Sequence, residues 1–423
     1  MAWVLVALPL VLLVAGLPIF LILLATSVVV LEFLSSTPPV IIHQRMLSGL
    51  DQSALLAVPF FIFAGELMAR SGISAQLIEW VNSIVGRLRG NRAVTTLGTA
   101  TIFGAISGST AATVAAVGSL TYKPLRDAGY NARFSSGLLT SAGAISNIIP
   151  PSIAMILYGF VTETSVIRLF LAGILPGLFL SGMFAAYILY YAHRHRISDG
   201  QPFELARLVR MTLGSLPALG APVIILGGIY SGLFSPTESG GIACVYAILV
   251  GLLYQRSIGP DDVWRAAINS MYLTAQIFII VAAANVYSRL LIETGGARQA
   301  VDFIAGLDMP GWVVLLIINA FLLAVGTALD TASAILILSP LLAQIAATLG
   351  VDPIHFGIIV VVNLTIGTFT PPFGLNIFVG QAIFKVPLSE LYPGLVPFIV
   401  ISVAALMVIT YWPPLSLWML RFL

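Results

Sequence analysis

Apolar stretches long enough to cross a bilayer, about 20 residues each, follow one another along this chain. The places where they are interrupted carry as much information as the stretches themselves. Spanning helices are predicted over Ala2 to Phe33, Ala54 to Met68, Leu169 to Ala192, Leu213 to Leu233, Gly240 to Tyr254, Met271 to Ile292 and Leu391 to Tyr411. Pro38 to Leu50 sets His43, Gln44 and Arg45 among apolar residues and reads as an interfacial helix. Ile73 to Leu88 spreads polar residues among Leu77, Ile78, Trp80, Val81 and Ile84, the pattern of an amphipathic arm. Gly295 to Leu307 repeats that character, with Asp302 inside it and Asp308 just beyond.

Four more apolar stretches are broken in the middle. Ala93 to Tyr122 is interrupted by Ser107-Gly108-Ser109-Thr110, and Trp312 to Ile345 by Gly326-Thr327-Ala328-Leu329-Asp330-Thr331. Phe134 to Val161 is broken at Asn147-Ile148-Ile149-Pro150-Pro151, and His355 to Ile383 at Gly367 to Asn376, which contains Pro371-Pro372. A proline pair inside a helix removes two donors and crowds the carbonyls four residues earlier, so Ser146, Asn147, Gly367 and Thr368 should have their carbonyls released. In hydrocarbon such groups must face protein, water or an ion.

Charge decides how the broken stretches sit. Arg87, Arg89 and Arg92 precede the first one, while Lys123, Arg126 and Arg133 follow it. Positive charge marks the cytoplasm, so both its ends lie on that face and the stretch is a re-entrant hairpin. Arg194, Arg196, Arg207 and Arg210 mark a second cytoplasmic loop. Between Arg298 and Lys385 there is no basic residue, which puts both ends of the second hairpin outside.

An inverted repeat follows. Pro150 and Pro371 are 221 positions apart (150 to 371), and the tips at Gly108 and Gly326 are 218 apart (108 to 326). Element order is preserved across the two copies, and an odd extra crossing turns the second upside down. The fold class predicted is an all-α polytopic membrane protein with two re-entrant hairpins and two Pro-Pro-broken helices. Residues 1–92 form first-repeat scaffold and arm, 93–161 hairpin and broken helix, and 162–292 connecting scaffold. Residues 293–311 form the second arm, 312–386 the second hairpin and broken helix, and 387–423 a C-terminal span.

Composition agrees: 9% of the 423 residues are charged, against about 25% in soluble domains. A net charge of +2 gives no footprint for nucleic acid. Cys244 stands alone and supports neither a disulfide nor a metal site. Met1 to Leu31 lacks a basic start and a small-residue cleavage site, and so reads as a retained helix. The absence of a GxxxxGK[ST] phosphate loop argues against ATP hydrolysis by this chain.

Asp330 is the only carboxylate between Trp312 and Gly350, where an acidic group needs a partner or a function. It can cap a hairpin helix, bind a cation, or do both with one oxygen each. Hydroxyls at the first tip, Ser107, Ser109, Thr110 and Thr113, suit close helix packing or, with released carbonyls, an oxygen cage for a hard cation. His355 and His43 could titrate in a coupling role, although His355 beside Asp352-Pro353 reads better as a helix-end residue. Arg168, Arg289 and Arg298 fall near external ends and read as residues that snorkel to head groups or meet a partner.

Gly326-Thr327-Ala328-Leu329-Asp330, Pro340, Asp352 to Gly357, Asn363 and Gly367 to Gly374 together resemble the large membrane subunit of tripartite ATP-independent periplasmic (TRAP) transporters. Ile106 to Thr113, Gly129-Tyr130, Ile149 to Ser152 and Tyr158-Gly159 extend the resemblance through the first half. It implies an elevator-type sodium symporter, with no cofactor beyond the coupling ion. The implied partners are a small four-helix membrane subunit (Q type) and a periplasmic substrate-binding protein (P type), in the bacterial inner membrane. The cargo implied is a small carboxylated solute such as a C4-dicarboxylate or sialic acid.

By the same resemblance, one sodium site uses Ser107, Ser109, Gly143, Asn147 and Pro150, and the other uses Gly326, Thr327, Asp330, Gly367, Thr370 and Pro372. Substrate is implied near Thr110, Thr331 and Asn376. The first break reads Ser146-Asn147-Ile148-Ile149-Pro150, where many family members have a glycine near this point. Alternatives are a stand-alone divalent-anion or metalloid-anion transporter on a related scaffold and, remotely, an intramembrane aspartyl enzyme, which would need a second buried carboxylate.

Overall fold

The structure is a computed structural model that describes residues 2–34, 40–200, 202–296, 299, 301, 302, 306 and 309–422. Among them the regular structure is entirely helical. In chain order the helices are α1 (Ala2–Val14), α2 (Ile19–Leu34), α3 (Val40–Leu50), α4 (Ala57–Arg70), α5 (Ile73–Val85), α6 (Asn91–Ser107) and α7 (Thr110–Asp127). They continue with α8 (Ala132–Ala142), α9 (Ile153–Val161), α10 (Val166–Arg194), α11 (Leu205–Tyr230), α12 (Pro236–Ile248) and α13 (Pro260–Glu293). The second half holds α14 (Gly311–Ala328), α15 (Thr331–Thr348), α16 (Pro353–Gly367), α17 (Leu375–Phe384), α18 (Leu388–Tyr411) and α19 (Pro414–Leu417). Eight helical segments of the described residues are long and apolar enough to cross a membrane.

Two expectations need correction. The first predicted span is two helices, because Gly16 takes φ +78° and Pro18 follows it, and α1 and α2 pack on one another across that turn. A left-handed residue with no Cβ penalty is the usual way to end a helix, and Gly16 supplies it. The chain also ends in a short helix and a 3₁₀ turn, Trp418–Phe422, for which the hydrophobic pattern gives no signal. The second amphipathic arm, with Arg298 and Asp308, lies largely outside the described residues.

Two bodies of helices emerge. A scaffold is built where α4 packs on α12 and α13, α13 also packs on α2 and α3, and α11 packs on α5 and α12. Against it lies a second body made of the two hairpins, α6–α7 and α14–α15, and the two broken helices, α8–α9 and α16–α17, joined by α10 and α18. Close backbone approach holds this second body together. A Cβ on Gly137 of α8 would stand 2.2 Å from the carbonyl oxygen of Gly394 in α18, and a Cβ on Gly394 would stand 2.0 Å from that of Arg133. Membrane helices use small residues in this way because lipid offers no hydrophobic drive for association. Helix α16 is buried on all sides from Ile354 to Gly367, which explains why it is apolar without periodicity.

The repeats interlock. Hairpin arm α7 packs on α17, the second half of the other repeat's broken helix, and α9 packs on α15 in the reciprocal contact. Both Pro-Pro peptide bonds, Pro150-Pro151 and Pro371-Pro372, are cis.

Candidate functional site

The first tip turns because α6 ends on Gly108 at φ +58°, whose N–H donates to the Gly104 carbonyl at 2.9 Å. Ser109 then begins α7 in an extended conformation, its Oγ accepting from the Ala112 N–H at 3.4 Å. Ser107 Oγ lies 3.0 Å from Thr113 Oγ1, and Thr113 Oγ1 donates to the Ser109 carbonyl at 2.9 Å. The second tip is built differently. Leu329 is extended, and Asp330 caps α15 by accepting from the Ser333 N–H at 3.0 Å through Oδ2 and from the Ser333 hydroxyl through Oδ1. Both carboxylate oxygens are therefore engaged by Ser333, whereas capping alone would leave one free for a cation. The cap residues Ser109 and Asp330 are 221 positions apart (109 to 330), the same offset as the proline pairs.

Each tip presses on its own repeat's break. A Cβ on Gly104 would lie 2.6 Å from the Ser146 Cβ, and one on Gly367 would lie 2.3 Å from the Gly326 carbonyl carbon. Ser146 is the positional counterpart of Gly367, which accounts for a small residue at both. The broken carbonyls are less bare than proline logic alone predicts. Thr370 N–H donates to Gly367 O at 3.1 Å, Asn376 N–H to Thr368 O at 2.8 Å, and Ser152 Oγ to the Asn147 carbonyl. Each carbonyl oxygen keeps a second lone pair, so these bonds orient it without exhausting it.

A cleft of about 320 Å³ opens between the tips and the scaffold. Six of the residues expected from sequence line it: Ser107, Ser109, Thr110, Asn147, Asp330 and Thr331. Others lie behind the wall. Gly143 packs against the Thr110 carbonyl, Pro150 is buried, and Gly326 and Gly367 face each other. Thr327 Oγ1 donates to Ala324 O and Thr370 Oγ1 to Ile366 O, both at 2.8 Å, and Pro372 is exposed. Asn376 is wholly buried with its amide 3.4 Å from Thr140 O, so it does not border the cleft.

Helix ends organise the cleft's field. The first residues of α7, α9, α15 and α17, namely Thr110, Ile153, Thr331 and Leu375, all line it. Helix N-termini present unpaired N–H groups and positive partial charge, which favour an anion. The C-terminal ends of α6 and α14 meet the breaks at Ser146 and Gly367, and helix C-termini favour a cation.

Sequence reasoning missed the scaffold's contribution. Glu66 of α4 and Gln276 of α13 line the same cleft. Glu66 Oε1 accepts from Arg70 Nη2 at 2.7 Å and Nε at 3.0 Å, and from Asn269 Nδ2 at 3.4 Å. Among the described lining residues, Glu66 and Asp330 are the charged ones, and neither is cationic. An acid and a base four apart on a helix read from sequence as an ordinary surface pair, which is why Glu66 gave no signal.

The remaining candidates resolve simply. His355 is buried, its backbone N–H donating to Asp352 Oδ1 at 3.1 Å and its Nε2 lying 3.2 Å from Thr410 O, a docking role at a helix start. Arg289 pairs with Glu293 at 2.6 Å, Arg168 is exposed, and Cys244 Sγ donates to Phe60 O at 3.1 Å.

Comparison with known proteins places this geometry. Residues 6–415 match the family described as the tripartite ATP-independent periplasmic transporter, DctM component. The C4-dicarboxylate TRAP transporter large permease protein DctM of Pseudomonas aeruginosa is 38% identical over 368 residues, 87% of this chain and 86% of that protein. The isethionate TRAP transporter permease protein DctMQ of Oleidesulfovibrio alaskensis is 34% identical over 406 residues, 96% of this chain and 64% of that longer protein. Among solved structures, the YdaH transporter of Alcanivorax borkumensis superposes with a TM-score of 0.61 over 96% of this chain and 99% of that one. At 16% identity that likeness speaks for the fold alone. With its match running from residue 6 to residue 415, the chain belongs to the DctM component family of TRAP transporters, a large membrane permease and not an enzyme.

Proposed function

We propose that this permease carries a small carboxylated solute into the cell across the bacterial inner membrane, driven by sodium, as the large subunit of a binding-protein-dependent TRAP transporter. The supporting observation is the cleft in which four helix N-termini converge while the paired C-terminal ends of hairpins and breaks stand behind them. This is the arrangement by which half-helices serve an anionic substrate and its coupling cations together. With no cationic side chain among the described residues of the wall, helix ends, hydroxyls and the ions themselves meet the solute's carboxylate.

Two sodium ions fit the oxygen donors at the two tips. One would be held by Ser107, Ser109 and the backbone of Gly143, Asn147 and Pro150. The other would be held by Gly326, Thr327, Asp330, Gly367, Thr370 and Pro372. All of these offer hard oxygen ligands, the set that suits an alkali or alkaline-earth cation. Solute would lie against Thr110 and Thr331, with Asn376 supporting the wall from behind.

The body of hairpins and broken helices would move against the scaffold as an elevator. Its inverted, interlocked construction, and a cleft lined from both bodies, support this reading. A small Q-type subunit is supported by the DctMQ relative, whose name joins M and Q in one protein. A P-type binding protein would deliver solute. Relatives named for a C4-dicarboxylate and for isethionate point to an organic acid as cargo. Family membership weighs against a stand-alone anion exporter.

The test is solute uptake into proteoliposomes holding this chain and the small subunit, with the loaded binding protein outside. Uptake is expected to need both partners and to fall at least tenfold when choline replaces sodium. Full-rate uptake in choline would overturn the sodium reading.

A further inference from the structure

Behind the second tip lies a buried polar chain that the transport reading does not use. Asn363 Nδ2 of α16 donates to Asn319 Oδ1 of α14 at 2.7 Å, and Asn319 Nδ2 donates to Thr410 Oγ1 of α18 at 3.0 Å. Asn363 Nδ2 also reaches Ile359 O at 2.9 Å, and His355 meets the Thr410 carbonyl. Asn319, Asn363, Thr410 and His355 are each no more than 2% exposed. Two buried amides inside apolar helices cost stability relative to leucine unless they are paired, and polar pairing between membrane helices returns only a modest gain. Their use is therefore one of geometry.

Position says which geometry. Asn363 lies four residues before Gly367 and Asn319 seven before Gly326, so each sits on the helix face that carries its glycine. The amide bridge thus runs alongside the contact in which a Cβ on Gly367 would lie 2.3 Å from the Gly326 backbone. The first repeat has the same hairpin-to-break contact at Gly104 and Ser146, but 221 positions earlier it carries Gly98 and Ala142, which offer no amide. Close packing alone joins hairpin to break there, and the first arm is bonded to α10, through Thr101 Oγ1 and Ser181 Oγ 3.2 Å apart, whereas in the second repeat the arm is bonded to the broken helix as well as to α18.

We propose that Asn319 is a positioning residue. With Asn363 and Thr410 it latches the first arm of the second hairpin to the broken helix, fixes the Gly326–Gly367 separation, and so sets the sodium affinity of the second tip. The affinity part of this inference rests on the sodium reading above; the latch itself does not.

Two variants of the full-length chain separate positioning from mere stability. Asn319→Leu breaks both bonds and leaves one Nδ2 hydrogen of Asn363 unpaired, with only the bond to Ile359 O remaining. Asn319→Leu combined with Asn363→Leu removes the amides altogether, and Thr410 can then bond its own helix backbone. Amide exchange over residues 320–330 in sodium-free buffer is expected to quicken at least tenfold in both. The sodium concentration for half-maximal thermal stabilisation, read against choline, is expected to rise at least fivefold in both, while the double variant regains the melting temperature the single one loses. Unchanged exchange over 320–330, or a double variant with wild-type sodium dependence, would overturn the proposal. A wild type indifferent to sodium, with exchange still quickened in the variants, would sink the ion reading and support the latch.

Discussion

Gly326 and Gly367 meet backbone to backbone, the Gly367 Cα lying 3.2 Å from where a Cβ on Gly326 would stand. The contact joins the end of a hairpin arm to the break of a helix, and it leaves no room for a side chain on Gly367 and only a tight fit for one on Gly326. Gly367→Ala is expected to destabilise the protein by about 3 kcal/mol, the upper part of the range for overpacking, because its neighbours are backbone and cannot swing away. Gly182→Ala is the control: nothing lies within 4 Å of a Cβ there, and alanine should stabilise α10 by about 0.5–1 kcal/mol. Thermal unfolding of the two variants in detergent checks the pair.

Asp330→Asn keeps a good helix cap but removes the negative charge. Stability should change by less than about 0.5 kcal/mol, since asparagine and aspartate cap equally well. Sodium dependence should nevertheless shift to at least tenfold higher concentration. Asp330→Ala should lose about 1 kcal/mol as well, the usual worth of a cap. An Asn variant with unaltered sodium dependence would remove Asp330 from the proposed ligands.

At the base of the first hairpin, Asp199 caps the start of α6 from a distant loop. Its Oδ1 accepts from the Gly90 and Asn91 N–H groups at 2.9 and 3.0 Å, and its Oδ2 from the Arg92 N–H at 2.9 Å. Asp199→Ala should cost about 0.5–2 kcal/mol, the loss expected when a helix start loses its acceptor. Because the carboxylate is remote from the cleft, sodium dependence should stay the same. A denaturation curve together with a sodium titration reads both.

Glu66 belongs to the scaffold, so its contact with the cleft tests whether solute touches both bodies. The Arg70 pair is partly exposed and worth at most about 1 kcal/mol, and Glu66→Gln should leave the melting temperature nearly unchanged. Half-saturation by loaded binding protein should shift at least threefold. Wild-type uptake in the variant would confine solute recognition to the hairpins.

How much of this was legible in the sequence depends on whether the cause was local. The two tips, the two proline breaks and their inverted order could be read because prolines, glycines and hydroxyl residues clustered inside an apolar run stop a helix wherever they occur. The register improved once caps were visible: Gly108 and Gly326 gave 218, whereas Ser109 and Asp330 share the 221 of the proline pairs. The turn at Gly16 was signalled by Gly16 and Pro18 but was masked by the unbroken apolarity on either side. Glu66, Gln276, Asp199 and the Asn319–Asn363 bridge could not be read, because each owes its role to groups about 40 or more positions away in the chain. The released carbonyls were right in position and incomplete in chemistry, since Thr370, Asn376 and Ser152 fold back to orient them.

The most direct test of the central claim follows the ion itself. Proteoliposomes holding this chain and the small subunit, free of internal sodium, are given radioactive sodium outside and binding protein with or without its solute. Sodium entry is expected to rise with solute in a fixed ratio, and to lose that rise in Asp330→Asn. Solute entry with no accompanying sodium would contradict the account.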